Sequence, residues 1–265
     1  IERPTATVFP NMWIAWTCAI HSAVFGKTAI IVVIPVDCLL KAFAKVWETD
    51  NLLTSFDGVS LWRPWNIDPS WKTQSGQAWF HIDQHPISKP GKQCIQGLIN
   101  LLPTSEEIGG NVVIPKSHNF FKDLPEEYKE RVERLPLDID HFRFPHDDPK
   151  LSSEPAVMAH MEPGDMLLWD SRTIHCSSSG SSLPEGTNDL IRAASLICMM
   201  PKELSSKEII EKRIHAAENL VSTTNWTNDF RNADEFPIIL EAENRDQYKW
   251  PKKPNLSEYQ KDLIA

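Results

Sequence analysis

The chain has 265 residues, 41% of them hydrophobic, and a formal net charge of −9. That is enough apolar material for a packed core and excludes global disorder. The acidic balance argues against a nucleic-acid partner or an anionic membrane surface, both of which need a basic face.

Five cysteines, at 18, 38, 94, 176 and 198, are scattered and form no CxxC pair, as expected of reduced thiols in a cytoplasmic protein. The chain starts at Ile1 rather than Met, so a removed leader stays open. The most apolar run, TAIIVVIPVDCLL at 28–40, contains Pro35 and Asp37 and falls short of the ~20 apolar residues a bilayer requires. No membrane insertion is expected.

In chain order, residues 36–50 place Leu39, Leu40, Phe43, Val46 and Trp47 on one face of an amphipathic helix. Residues 52–62 predict two short strands in a hairpin around Asp57-Gly58, or one strand with a bulge. From 77 to about 200 comes a series of short strands: QAWFHID, KQCIQGLINLL, NVVIPKSH, DMLLWDSRTIHCS and DLIRAASLICMM. The turns EEIGGN (106–111) and EPGD (162–165) punctuate them. The fold class is therefore mainly β with flanking helices, an antiparallel jelly roll.

Residues 120–160 form an insertion with a helix over 124–135, in the position of a lid or binding loop. Residues 205–221 form a helix with a Ser205/Glu208 capping box and an apolar face of Ile209, Ile210, Ile214, Ala217 and Leu220. The tail from 222 is read as an extended arm packed on the sheet. The expectation is one domain over 1–265, with its core at about 52–200 and a C-terminal helix and arm over 202–265.

The chemistry concentrates at FHIDQHP, residues 80–86. On a strand His81, Asp83 and His85 share a face, but His81 and His85 lie roughly 13 Å apart at ~3.3 Å per residue. One ion reaches its ligands at only about 2.0–2.2 Å, so all three cannot share it. Pro86 ends the strand near His85, which leaves His81 and Asp83 as the better pair. Candidates for a third ligand are His21, His85, His118, His141, His146, His160, His175 and His215. His175 stands out because a jelly roll returns a late strand beside an early one. Two histidines and a carboxylate make a facial triad with open positions, which suits non-haem Fe(II) that binds a co-substrate and O2 together. If that co-substrate is 2-oxoglutarate, its far carboxylate needs a buried bidentate cation. Arg192 lies on the next strand, with the small Ala194 beside it on the same face.

With these residues goes a set of spaced motifs: Ser55–Gly58, Phe80–Gln84, Gln96–Pro103, Gly109–His118 and Trp169–His175. Over roughly 36–200 the sequence resembles the phytanoyl-CoA dioxygenase family of Fe(II)/2-oxoglutarate-dependent oxygenases. The resemblance implies a double-stranded β-helix with iron on His81, Asp83 and His175, and 2-oxoglutarate on Arg192. Many enzymes of this class carry Ser or Thr two residues after the anchoring Arg. Here Ala194 stands there, so a second donor must come from elsewhere.

Asn100 and Gln96, alternating on one face of QGLINL, are candidate 2-oxoglutarate contacts. Arg63, Trp79 and Gln84 are candidate substrate contacts, against the plainer reading of Trp79 as core packing. Arg172 reads as an ion-pair partner of Asp170 or Asp165, and His85 as a supporting or surface group. The implied reaction oxidises an unactivated C–H bond of a small-molecule substrate. Hydroxylation, desaturation and ring closure all remain open, as does the oligomeric state. Two other classes stay in view: a cupin-like metal enzyme that does not use 2-oxoglutarate, and a non-catalytic binding module on the same fold.

Overall fold

The structure is a computed structural model that describes residues 36–57, 59–72, 79–219, 224–229 and 256–265. Most of the apolar run at 28–40 and most of the arm after 222 lie outside the described residues. The chain divides into two compact units, 60–198 and the combination of 1–59 with 199–265.

The unit 60–198 holds two antiparallel sheets. In the larger, β4 (Ile95–Asn100) runs between β8 (Met166–Asp170) and the first part of β10 (Arg192–Pro201), and β2 (Val59–Trp62) pairs with β10. The smaller sheet has the order β6 (His141–Arg143), β3 (His81–Asp83), β9 (His175–Ser177), β5 (Asn111–Val113) and β7 (Val157–Met158). Two antiparallel sheets with these crossovers form the expected jelly-roll core.

Alternation decides which side chains enter that core. Ile82, Phe142 and Cys176 point to the outer face of the smaller sheet. There they pack with Leu124 of α2 (Leu124–Glu127), Val132 of α3 (Lys129–Glu133), Phe121, Phe144 and Ile174. With those residues buried outside, His81, Asp83, His175 and Ser177 must face inward. A shift of one residue in register would send the whole polar set into this apolar layer.

The 120–160 segment, expected as an insertion or lid, holds helices and two strands. Its helices back the smaller sheet on the side away from the polar residues. Its strands β6 and β7 form the two edges of that sheet. The run DMLLWDSRTIHCS is also not one strand. Thr173 N–H bonds back to the Asp170 carbonyl, and the turn sends β8 and β9 into different sheets.

A second turn sets β9 in place through glycine. Gly109 (φ +101°) and Gly180 (φ +79°) each bring backbone against backbone. A Cβ on Gly109 would stand 2.2 Å from the Ser178 carbonyl oxygen, and one on Gly180 would stand 2.1 Å from that of Glu107.

In the other unit, α1 (Val36–Trp47) buries Leu39 and Phe43 as its periodicity requires. β1 (Leu52–Thr54) pairs antiparallel with Met199–Pro201 of β10. No hairpin joins β1 to β2, because each pairs with β10 instead.

The helix α4 spans Lys207–Asn219, and its first turn is capped by Ser206, whose Oγ accepts from Ile209 N–H at 3.2 Å. Ser205, the expected cap, instead donates to the Thr227 carbonyl at 3.5 Å. The buried face is Arg213 and Ala216, while Ile214 is 39% exposed. Arg213 donates to the carbonyls of Thr54, Leu263, Ile264 and Thr227 and stacks over Phe56. The last helix, α5 (Glu258–Asp262), begins with a capping box between Ser257 and Gln260. Among the described residues, no helix is long and apolar enough to cross a membrane.

Candidate functional site

His81 and His175 are direct cross-strand partners on β3 and β9, so their Cβ atoms are neighbours and their rings meet. The ring centroids are 4.4 Å apart. Asp83 follows two residues later on the same face. Its Oδ1 lies 3.5 Å from His81 Nε2, and its Oδ2 lies 3.2 Å from His175 Nε2. The three residues present ligand atoms within 4.8 Å of one another.

The histidines are oriented as a metal requires. His81 Nδ1 donates to the Trp79 carbonyl at 3.0 Å, and His175 Nδ1 donates to the Thr173 carbonyl at 2.9 Å. Each Nε2 is therefore directed at the cluster: without metal it can donate to Asp83, and a bound metal would displace that proton and take the lone pair, the arrangement typical of metal-ligating imidazoles. The donor set, two imidazoles and a carboxylate, is that of a non-haem iron site.

Burial alone would raise the Asp83 pKa, but hydrogen bonds from His141, His175 and His81, with the charge of His81, hold the carboxyl well below the ordinary range. Asp83 is 24% exposed against 6% for each ligand histidine, so the cluster opens on the carboxylate side.

Around it stands a row of rings. Trp79 stacks on His81 at 4.4 Å and 16°, and its Nε1 donates to the Ser177 carbonyl. Trp169 tilts against His175 at 5.4 Å. His141, on β6 directly opposite Asp83, has its ring 4.4 Å from that of His81 and reaches Asp83 Oδ1 with Nδ1 at 3.5 Å.

Arg192 is 3% exposed. Its Nη1 donates to Ser177 Oγ at 2.7 Å, its guanidinium lies 4.0 Å above the Trp62 ring, and its Nε has no partner. Burial pulls its pKa down to about 10, yet among the described residues no carboxylate answers its charge. Ser177 lies two residues beyond His175 and so shares its face. A hydroxyl thus stands beside the Arg192 guanidinium from β9, where Ala194 offers none.

Other expected site residues take different roles. Gln96 Nε2 donates to Asp83 Oδ2 at 3.0 Å and leaves its Oε1 unpaired. Asn100 Nδ2 donates to the carbonyls of Leu102 and Met161, again leaving only Oδ1 unpaired. In this structure Asn100 engages both of its amide N–H groups within the protein and Gln96 one of its two.

Gln84 is fully buried. Its Nε2 donates to the carbonyls of Lys89 and Gly91, and its Oε1 accepts from Ser171 Oγ at 2.6 Å. It clamps the loop after β3, with both amide N–H groups engaged within the protein. His85 is also buried: its Nδ1 accepts from the N–H groups of Ile87 and Ser88. Arg172 pairs with both oxygens of Asp170, as expected. Arg63 stacks on Trp71 at 4.1 Å.

Ser177 did not stand out in the sequence, and His141 stood only among the candidate third ligands. Ser177 was findable from its i+2 spacing to His175. His141 had no local signal, because it meets Asp83 only through the β3–β6 register.

Comparison with known proteins now bears on the class. Residues 62–183 match the family profile described as phytanoyl-CoA dioxygenase, a span that contains the whole triad. Over this span the chain resembles the phytanoyl-CoA dioxygenase family, which is one of Fe(II)/2-oxoglutarate-dependent oxygenases.

The chain is similar to "Ava biosynthesis cluster protein O" of Aspergillus versicolor, at 33% identity over 194 residues, 70% of this chain and 58% of that protein. A relative from Dictyostelium discoideum is 21% identical over 221 residues, covering 72% of this chain and 59% of that one. The chain thus spans somewhat over half the length of these curated relatives. Among solved structures, EvdMO1 matches with a TM-score of 0.38 and 18% identity, covering 61% of this chain and 30% of that one.

Proposed function

We propose that the protein oxidises an unactivated C–H bond of a small-molecule substrate, using Fe(II), 2-oxoglutarate and O2. His81, Asp83 and His175 hold the iron, and Arg192 with Ser177 holds the far carboxylate of 2-oxoglutarate. The observation that carries this reading is Arg192. A guanidinium buried without an acid is costly unless a ligand brings one, and its link to Ser177 ties it to the strand of His175. A cupin-like enzyme without 2-oxoglutarate would have no use for that charge.

When bound, the iron supplies O2 activation coupled to the conversion of 2-oxoglutarate into succinate and CO2. The chain supplies position. Nδ1–H bonds to the carbonyls of Trp79 and Thr173 fix both imidazoles before metal arrives. Trp62 covers the guanidinium and keeps water from competing with the carboxylate. Trp79 and His141 border the exposed side of the cluster, where the substrate enters, and Trp79 and Arg63 are the proposed substrate contacts.

The similarity to a biosynthesis cluster protein supports a substrate from a specialised pathway. Hydroxylation is the default outcome, and desaturation or ring closure needs only a different substrate pose. Among the described residues Cys38, Cys94, Cys176 and Cys198 form no disulfide, which supports a cytoplasmic location.

The test is an anaerobic titration of metal-free protein with Fe(II), then with 2-oxoglutarate. The visible band that 2-oxoglutarate gives on chelating Fe(II) is expected. Iron binding without that band would favour the cupin-like alternative.

A further inference from the structure

Asp83 is held by two side chains outside the ligand set, one on each oxygen. Gln96 Nε2 reaches Oδ2 at 3.0 Å from β4, and His141 Nδ1 reaches Oδ1 at 3.5 Å from β6. The two come from different sheets and reach different oxygens of the carboxylate. Both contacts are built into backbone register. His141 is the cross-strand partner of Asp83, and Gln96 is locked between Trp169 and Cys198.

Neither residue has a better use for its donor. Gln96 is 7% exposed and its Oε1 has no partner, so its amide is oriented by Asp83 alone. A carboxylate on a strand end turns freely about its last bond. Two donors, one on each oxygen, stop that rotation while leaving each oxygen further lone pairs.

We infer that Gln96 and His141 are positioning residues that lock the Asp83 carboxylate in its metal-binding orientation before the metal arrives. The inference rests on the reading of His81, Asp83 and His175 as the iron site. Partners of this kind, acting through a ligand, typically govern metal affinity by about 10- to 100-fold.

The experiment is an anaerobic titration of the metal-free full chain with Fe(II) and with Co(II), by competition against a colorimetric chelator. The wild type is compared with Gln96→Leu, His141→Leu and His141→Asn. Asn offers an amide N–H where His offers Nδ1–H. Each Leu variant is expected to bind both ions about 10- to 100-fold more weakly, with an altered visible Co(II) spectrum. His141→Asn is expected to stay near wild type.

The His141 side chain is 44% exposed, so its variants should melt like wild type without metal, and they decide the matter if Gln96→Leu misfolds. Wild-type affinity in both Leu variants would overturn the inference and leave the iron site standing. His141→Asn binding as poorly as His141→Leu would also overturn it. A wild type that takes up neither ion would bring down the iron site itself, and the inference with it.

Discussion

Replacing Arg192 with Met separates anchoring from structure, because the two roles predict opposite results. Burial lowers the guanidinium pKa from 12.5 to about 10, which corresponds to roughly 3 kcal/mol of cost for keeping the charge inside. Against that stand one charge-assisted bond to Ser177, about 1.5–3 kcal/mol, and the stack on Trp62, about 1–2 kcal/mol. These nearly cancel. Met fills similar space without a charge, so the metal-free Arg192→Met protein should be within about 1–2 kcal/mol of wild type in stability.

The loss should appear only with ligand. Breaking a buried charge pair costs about 2–5 kcal/mol of binding, roughly 30-fold to several-thousand-fold in Kd. At 2-oxoglutarate equal to about 100 times its Kd, wild type gains ~2.7 kcal/mol, which is roughly 5–10 °C in Tm for a chain of this size. The variant, under the same Fe(II) and 2-oxoglutarate, should shift by no more than about 2–3 °C. Differential scanning fluorimetry under argon reads both quantities. A variant that unfolds without ligand, or that keeps the full 2-oxoglutarate shift, would refute the anchor assignment.

Other perturbations test the rest of the scheme. Asp83→Ala removes the only carboxylate of the cluster and should abolish stoichiometric Fe(II) binding and succinate formation; full turnover would exclude the triad. Gly109→Ala forces a Cβ against the Ser178 carbonyl at a positive φ and should cost about 2 kcal/mol or more, read as a lowered urea midpoint with the slope unchanged. Burial and the bond to Asp148 raise the Tyr128 pKa above its ordinary 10. The unfolded chain therefore releases that proton first, so stability should fall as pH rises above about 10. Tyr128→Phe should lessen this alkaline loss in denaturation curves taken between pH 9 and 11; identical slopes would count against it.

What could be read in advance divides along one line. The shared face of His81 and Asp83, and the burial of Arg192 on its strand, were legible because strand alternation is local and chemistry-bearing residues in it stand out. His175 was legible once the topology was assumed. The roles of Gln96, Asn100 and Gln84 were not, because an amide's partner depends on which strand lies opposite. The same holds for His141, which sits in a segment whose helical and loop-like composition hid a three-residue edge strand. The 120–160 segment reads as an insertion or lid because long connections often are. Its apolar residues Leu124, Val132, Phe142 and Phe144 had already marked it as the cover of a buried face. The capping error at Ser205 is a one-residue slip of the kind helix ends invite.

Arg213 has a consequence for handling the protein. Its guanidinium gathers carbonyls from β1, from 224–229 and from Leu263 and Ile264, segments far apart along the chain. Those carbonyls are brought together late in sequence, so this part of the fold cannot close while Leu263 and Ile264 are still within the ribosome. A preparation clipped by protease just before Leu263 would leave a cation half-solvated at the centre of a packed unit. Such material should be sought first when a batch aggregates, by intact-mass measurement.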